Sequence, residues 1–203
     1  MKILFLLFLA ALAFSPGRSQ AQFSPAEGSY ELNNGEKGTA TLKLVLAEGN
    51  APTRLVGTKN GRERTFRSAQ IKSFAIESHR FASINSFRFH SGTSANSSEP
   101  ALLETIETGA VELFSYYYLV EMGTNFKAHV TLPVLRKAGT SVFFAYAPGR
   151  TPGFDLKLAP GGFVAALFPA DPVLQRQLAT GSIGRAQLAA AVRAYNQGTR
   201  LKP

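Results

Sequence analysis

Cysteine and tryptophan are absent from this chain of 203 residues, and aspartate occurs only as Asp155 and Asp171. A chain without cysteine has no disulfides, no thiolate metal ligands and no cysteine nucleophile. Two aspartates supply little material for a metal site built on carboxylates. An ordinary hydrophobic core must therefore hold the domain together, and a chain of this length can bury one.

Histidine is also scarce, and the three histidines are not spaced as metal ligands. No two of them stand two or four residues apart, and a His-Glu-x-x-His pattern is absent, so no zinc site is predicted. His79 and His90 are expected to face solvent on strands. A Gly-x-Ser-x-Gly elbow, a phosphate-binding loop and a Gly-x-Gly-x-x-Gly motif are missing as well. We therefore expect no cofactor, and no catalytic residue is assigned.

Glutamates could still form the carboxylate pair of a glycosidase. Alternation along a strand predicts that Glu104 and Glu107 lie on opposite faces, which makes them poor partners. Glu107 and Glu112 flank a predicted turn and could approach each other across it. Because charged residues are mostly exposed in folded proteins, we expect all three glutamates to be solvated.

The N-terminus has the pattern of a secretory signal peptide. Lys2 precedes an apolar run from Ile3 to Phe14, and the helix breakers Pro16 and Gly17 follow. The small residues of Ser19-Gln20-Ala21 predict cleavage after Ala21, with a cut after Ala13 as the alternative. The protein is then exported and is periplasmic or secreted. No later stretch is long and apolar enough to span a membrane.

Positive charge exceeds negative charge: lysine and arginine number 22, aspartate and glutamate 13, and the formal net charge is +9. The basic residues are scattered along the chain. Such a diffuse excess favours attraction to anionic surfaces, or it serves solubility alone. Specific binding of nucleic acid is not predicted, because a basic stripe is absent. Arg80 and Arg150 are the predicted anion contacts.

Residues 22–160 have the pattern of short strands separated by turns. Asn34-Gly35 and Asn60-Gly61 each separate two strand-like runs, and an Asn-Gly pair readily adopts the positive φ angles of a tight hairpin. A third hairpin is predicted to turn near Gly109-Ala110. Residues 91–100 are polar without apolar periodicity and are predicted to form a loop.

Two stretches predict which side chains share a strand face. In residues 71–76, alternation places Ile71, Ser73 and Ala75 opposite Lys72, Phe74 and Ile76. In "VELFSYYYLVEM", residues 111–122, both faces are largely apolar, which is typical of a strand that is covered on both sides.

The three consecutive tyrosines of this second strand cannot all stack on one ligand. Tyr116 and Tyr118 share one face, and Tyr117 lies on the other. A structural role is favoured, because aromatic residues suit strands and a tyrosine can be buried if its hydroxyl has a partner. The alternative is that Tyr116 and Tyr118 line a ligand site.

Residues 161–203 are predicted to form a helical hairpin of the same domain. Asp171-Pro172 starts the first helix, because aspartate caps an N-terminus and proline suits the first helical position. Ser182 is a candidate cap of the second helix. The expected apolar stripes are Val173, Leu174 and Leu178 on the first helix, and Ile183, Leu188, Val192 and Tyr195 on the second.

The fold class that follows is α+β: a predominantly antiparallel β-sheet, or a partial barrel, with a C-terminal α-helical hairpin. Residues 1–21 are the signal peptide, 22–160 the β-rich part of the domain and 161–203 its helical hairpin. An internal repeat is not visible in the sequence.

Three segments carry a family resemblance. They are residues 60–84, with a hairpin followed by spaced apolar residues; residues 101–118, with an apolar strand, a glycine and aromatics; and residues 168–196, with two helices ending in Tyr-Asn. Across roughly residues 28–197 the chain resembles a family of uncharacterised exported proteins of Bacteroidota-type bacteria. The family often has Gly-Asp-Thr in its first hairpin and Cys-Pro before its first C-terminal helix. Here "NNGEKGT" and Asp171-Pro172 stand instead. The resemblance implies the fold and implies no chemistry.

Three functions stay open on the sequence. The favoured one is a non-enzymatic exported module that binds an envelope component or a partner protein, because a signal peptide is present and a catalytic signature is not. The second is a carrier of a small apolar ligand, whose sheet closes into a barrel around a cavity. Sixteen phenylalanines favour this carrier. The third is a hydrolase of envelope glycans or peptides that uses glutamate or serine.

Overall fold

The computed structural model describes residues 23–46, 53–84, 100–121, 127–147 and 162–199. The predicted signal peptide, Arg150 and His90 lie outside the described residues, as does nearly all of the predicted loop at 91–100.

The described strands form one antiparallel sheet with the order β10-β9-β8-β7-β6-β5-β1-β2-β3-β4. Neighbours in the sheet are mostly neighbours in the chain, but β1 is inserted between β5 and β2. The edges are β10 and β4, so these strands form an open sheet rather than a closed barrel. The strands are β1 (Ala26–Leu32), β2 (Lys37–Val45), β3 (Arg54–Lys59), β4 (Arg62–Arg67), β5 (Ile71–Ile76), β6 (His79–Ile84), β7 (Ala101–Glu107), β8 (Val111–Glu121), β9 (Lys127–Lys137) and β10 (Phe144–Ala145).

Three helices follow the sheet, so the predicted α+β class with C-terminal helices is confirmed. They are α1 (Gly162–Ala165), α2 (Pro172–Ala179) and α3 (Arg185–Asn196). The single turn of α1 was not predicted. The other two helices are the pair that the sequence indicates.

The start of α2 is confirmed, because the Asp171 side chain accepts a hydrogen bond from the Leu174 backbone N–H at 3.0 Å. Its predicted apolar stripe is only partly correct. Leu174 and Leu178 are buried, whereas Val173 is 62% exposed. Residues four apart share a helix face, and the residue just before Leu174 points elsewhere.

The predicted cap of α3 is wrong. Gly184, not Ser182, is the N-cap residue, and its N–H donates to the Gln187 side-chain oxygen at 3.1 Å. The Ser182 hydroxyl instead lies 2.7 Å from the Thr180 hydroxyl, at the end of α2.

The three predicted hairpins are all present. The β3–β4 hairpin has a two-residue turn in which Asn60 and Gly61 have φ angles of 51° and 72°. The β1–β2 turn is longer and contains Gly35 at a φ of 88°. Gly109 lies in the β7–β8 turn with a φ of 152°. Local residue chemistry therefore determines where the chain reverses.

The strict alternation predicted for residues 71–76 is wrong. Ile71, Phe74 and Ile76 are all buried. Between two successive pairs of the β1–β5 ladder, Lys72 has no partner on β1, so it is the extra residue of a β-bulge. The extra residue moves Ile71 to the face of Phe74 and Ile76. Lys72 is exposed and pairs with Glu31 at 2.7 Å.

The sheet has two faces, which we call the helix face and the opposite face. The helices pack on the helix face at Val111, Leu113 and Leu135. Farther along this face, β1 to β6 bury a second apolar cluster, which is closed by Phe23 and Tyr117. A third cluster lies on the opposite face of β7, β8 and β9, and its members include Leu103, Phe114, Leu132, Val134 and Phe143.

The strand β8 is thus covered on both faces, as predicted. Tyr117 lies on the helix face and is 8% exposed, whereas Tyr116 and Tyr118 pack on the opposite face. The structural interpretation of the three tyrosines therefore holds for their packing.

The C-terminal end of α3 is bonded to the β7–β8 turn. The Asn196 side chain accepts a hydrogen bond from the Val111 N–H at 3.0 Å and donates to the Val111 carbonyl at 2.8 Å. Gly109 makes room for this amide, because a Cβ at that position would lie 2.5 Å from the Asn196 side chain. The Tyr-Asn end of the helix therefore joins the helices to the sheet.

Candidate functional site

Tyr116 and Tyr118, the predicted ligand-lining residues, lie side by side on β8. Their ring centroids are 5.6 Å apart and the ring planes differ by 21°. Both rings are half-buried in the cluster that contains Leu103 and Phe114. Burial raises the pKa of both phenols, that of Tyr118 to about 12. The pair contributes to core packing, and its ligand-lining role stays a prediction.

Arg80, a predicted anion contact, lines an open trough of about 700 Å³. The trough crosses β6, β5, β1 and β2. Arg80 is paired with Ala75, Ala75 with Ser29, and Ser29 with Thr39. Residues that are directly opposite in a sheet project on the same face, so these positions form one row on the opposite face. Ala75, Ser29 and Thr39 are small, and they form a floor that ends at the long side chain of Arg80.

The charged side chains that line the trough are Arg80, Lys37, Lys59 and Glu31. Glu31 is neutralised, because Lys37 lies 3.5 Å and Lys72 2.7 Å from its carboxylate. The hydrogen bond from Lys72 is the main cause that lowers the Glu31 pKa. Within the described part of the chain, Arg80 forms no ion pair. Lys59 borders the trough, but it is two residues from Gly57 and four from Leu55 on β3 and therefore projects on the helix face. The opposite face thus presents Arg80 at one end of the floor and Lys37 at the other, and Lys37 shares Glu31 with Lys72.

The predicted site residues do not come together in one site. Tyr116 and Tyr118 share the opposite face with Arg80, but β7 lies between them and they do not line the trough. Arg150 is not among the described residues. The structure instead places Arg80 and Lys37 at the two ends of the small floor residues, a grouping that local sequence patterns do not indicate.

A second polar cluster lies on the helix face among aromatic side chains. Glu104 is 6% exposed, accepts a hydrogen bond from the Tyr117 hydroxyl and lies 2.5 Å from His79 Nδ1. The Phe23 ring packs edge-on against His79 and Tyr117, with centroids 5.0 Å and 5.1 Å apart. Burial, followed by the bond to Glu104, raises the Tyr117 pKa well above its ordinary value. A carboxylate is thus held in an apolar setting by two neighbours.

This burial corrects the expectation that Glu104 is solvated. A β-bulge in β7 also places Glu104 and Glu107 on the same face, not on opposite faces, and Glu112 lies on the other. Glu107 pairs with Arg193, and Glu112 pairs with Arg136. Because each carboxylate has its own basic partner, the three do not form a glycosidase pair. His79 is likewise not simply solvent-facing, since it bonds to Glu104.

One signal in the sequence could have indicated the buried carboxylate. Leu102 and Glu104 are two residues apart on a strand and therefore share a face. Leu102 is 3% exposed, so a glutamate beside it needs a polar partner. The partners, His79 and Tyr117, come from other strands and could not be read from that spacing.

The fold defines this protein as an α+β domain with an open antiparallel sheet and C-terminal helices. Comparison of the chain with protein-family models, curated proteins and solved structures finds no match to any of them. The resemblance to a family of exported bacterial proteins stays a prediction.

Two further properties follow from the described residues. None of their helices has the length and hydropathy needed to cross a membrane. Their histidine, aspartate and glutamate side chains do not gather in a group of three or more that could hold a metal ion.

Proposed function

We propose that this protein is an exported, non-enzymatic module that binds an anionic component of the cell envelope in the basic trough. The observation that carries the proposal is that Arg80, a cation without an ion pair among the described residues, and the exposed Lys37 line one trough with a small-residue floor. Such cations form charge-assisted hydrogen bonds with carboxylates or phosphates. The excess of basic over acidic residues also raises the local concentration of a polyanion.

Export is supported by the N-terminal pattern of Lys2, the apolar run and Ser19-Gln20-Ala21. We therefore place the protein in the periplasm or outside the cell. Determination of the N-terminal residue of the protein recovered from its own cells tests this, and Gln22 is the expected first residue. Recovery of a chain that begins at Met1 would contradict it.

An envelope component fits the described surface better than a protein partner that adds a strand. The edge strand β4 has the sequence "RERTFR", and only Phe66 of it is buried. Charged side chains on an edge strand discourage pairing with a strand of another chain. The other edge, β10, is two residues long.

Co-sedimentation with a purified envelope fraction tests the binding proposal. The protein comprises residues 22–203, and the trough variant carries Arg80→Ala with Lys37→Ala. A matched control carries Arg176→Ala with Lys137→Ala, which removes the same charge from exposed positions away from the trough. We expect binding to weaken with salt and to fall about tenfold or more in the trough variant only. Equal losses in both variants would show that net charge, not the trough, holds the ligand.

A second candidate function, hydrolysis of an envelope glycan or peptide, is favoured by the contact between Glu104 and His79. A buried carboxylate at Nδ1 orients the imidazole and leaves Nε2 as the atom that can accept a proton. Incubation of the protein with envelope glycans and peptides, followed by product analysis, tests this. Turnover must be present in the parent chain and lost in His79→Gln. Absence of product from the parent chain would remove this candidate.

The carrier alternative has no comparable support. Its cavity requires strands that enclose an apolar interior, whereas the described strands form an open sheet with edges at β4 and β10.

A further inference from the structure

The trough is longer than one anionic group. Arg80 lies on β6 and Lys37 on β2, and β5 and β1 separate these strands. Three strand spacings amount to about 14 Å along the sheet, because neighbouring strands are about 4.8 Å apart. A ligand that contacts cations at both ends must therefore be a chain with repeated negative charge.

The floor between the cations consists of hydroxyl-bearing and small side chains. Ser29 and Thr39 are exposed, and Ser73 is half-buried beside them. A hydroxyl both donates and accepts hydrogen bonds, so these residues match a ligand that is itself rich in hydroxyl groups. Ala75 adds no bulk, which leaves the floor open to a ring-shaped repeating unit.

The floor does not offer an aromatic platform. Phe74 and Phe81 border the trough through their backbone positions, but they are 4% and 2% exposed and stack on each other on the helix face. The Tyr30 ring packs against Phe66. Binding of single-stranded nucleic acid commonly relies on bases stacked on exposed aromatic rings. The floor therefore favours a hydroxyl-rich polyanion over a nucleic acid.

A lipid surface is also a poor match for the trough. The large apolar side chains exposed among the described residues are Ile106, Val142, Phe163 and Val173, and none of them lines it. A flat membrane contacts protruding side chains rather than a recessed floor. The small floor residues would then have no role in binding.

We infer that the trough binds a linear acidic polysaccharide that lies across β6, β5, β1 and β2. Its carboxylate or sulfate groups bind Arg80 at one end and Lys37 at the other, and its hydroxyl groups bond to Ser29, Thr39 and Ser73. This inference rests on the proposed function, because it names the chemical class of the anionic ligand.

Titration calorimetry with galacturonic acid, its trimer and its hexamer tests the inference on residues 22–203. The affinity is expected to rise from monomer to hexamer, because only the longer chain reaches both cations. Arg80→Ala and Lys37→Ala should each weaken hexamer binding about tenfold, the loss of roughly one charge-assisted contact. Arg176→Ala should leave it unchanged. Neutral maltohexaose should bind far more weakly than the acidic hexamer.

A floor variant separates trough binding from surface charge. Ser29→Tyr fills the floor without changing the charge, and tyrosine suits an exposed strand position. Hexamer binding should fall at least about tenfold, the loss of the hydrogen bonds and contacts made on the floor. Circular dichroism checks that the variant is folded, and Thr58→Tyr, on β3 outside the trough, is its matched control.

Two other probes distinguish the outcomes. If vesicles containing phosphatidylglycerol or a single-stranded oligonucleotide bind more tightly than the hexamer, and Ser29→Tyr has no effect, the polysaccharide inference is overturned while anion binding stands. If neither the acidic hexamer nor these two probes bind, the proposed function fails as well.

Discussion

Side chains alternate between the two faces in both halves of this sheet, but the halves differ in how many faces are buried. In β1, β2, β5 and β6, one face is core and the other carries the polar trough. In β7, β8 and β9, both faces are buried, one under the helices and one under the cluster around Phe143. A strand covered on one side keeps a face for ligands, whereas a strand covered on both sides contributes its side chains to packing.

Charge follows the same division. In the doubly covered half, three glutamates each have a partner: Glu104 with His79, Glu107 with Arg193 and Glu112 with Arg136. In the trough, Arg80 has no ion pair with a described residue, and Lys37 shares Glu31 with Lys72. The trough half therefore keeps an excess of positive charge on a solvent-exposed face, where a ligand can use it.

The largest expected effect on stability comes from comparing the covered half and the trough half on the opposite face. Leu103→Ala, in the covered half, should lower the free energy of unfolding by about 3 kcal/mol, because Leu103 is fully buried and a cavity replaces it. Thr39→Ala, on the same face in the trough half, should change it by about 0.5 kcal/mol or less. Urea unfolding measures both. Similar losses in the two variants would show that the trough floor is also part of a core.

A smaller loss is expected where the helices join the sheet. Gly109→Ala should cost about 2 kcal/mol, because φ is 152° and the new Cβ meets Asn196. Gly139→Ala is the matched control. Its φ is also positive, at 77°, but the added Cβ meets nothing within 4 Å, so about 1 kcal/mol is expected. If the midpoint of thermal unfolding shifts equally for the two variants, the contact between the new Cβ and Asn196 adds nothing to the loss of stability.

The cluster around the buried Glu104 carboxylate predicts that the stability of the fold changes with pH in the alkaline range. Burial and Glu104 raise the Tyr117 pKa above its unfolded value of about 10, so the protonated phenol stabilises the fold. This stability is fully present below about pH 10 and is lost as the pH rises above it. Tyr117→Phe should lose about 1 kcal/mol at neutral pH, through the missing hydrogen bond. As the pH rises into the alkaline range, the free energy of unfolding of this variant should also fall less than that of the parent chain.

Urea titrations at about pH 8, below the ordinary tyrosine pKa, and at about pH 11, above it, measure this difference. Tyr146 is a suitable comparison, because burial also raises its pKa but its hydroxyl bonds to a backbone carbonyl, that of Ile183. The same alkaline slope in Tyr117→Phe and in the parent chain would contradict a role for Tyr117.

The smallest effect on stability is expected in the trough. Arg80→Ala should alter the free energy of unfolding by less than about 0.5 kcal/mol, since Arg80 is exposed and forms no ion pair with a described residue. The same variant should lose binding of the anionic envelope fraction. A clear loss of stability would show that Arg80 supports the fold, and would weaken its assignment to a ligand.

Much of the fold could be predicted because its signals are local. Asn60 and Gly61 readily adopt the positive φ angles of a tight hairpin, and Asp171 caps the helix whose first residue is Pro172. The β5–β6 hairpin was harder to predict, because its turn places Glu77, not a glycine, at a φ of 53°. Its strand pairing supports a conformation that Glu77 alone would not favour.

The site depended on contacts that local patterns do not contain. Arg80 was predicted as an anion contact from its type alone, and the structure adds Lys37 and the floor. Glu104 was expected to be solvated, because a partner 25 residues away in the chain cannot be inferred from its surroundings in the sequence. The extra residue Lys72 arises from pairing with β1, so alternation in β5 alone predicts the wrong face.

The amino-acid sequence by itself determined the turns, the helix start, the absence of cysteine chemistry and the excess of positive charge. Each of these depends on a few neighbouring residues or on composition. Only the tertiary structure decided that β1, from the start of the described chain, lies between β5 and β2. That insertion sets Ser29 between Ala75 and Thr39 and so makes the trough. Backbone hydrogen bonds between distant strands specify it, and no short stretch of sequence records them.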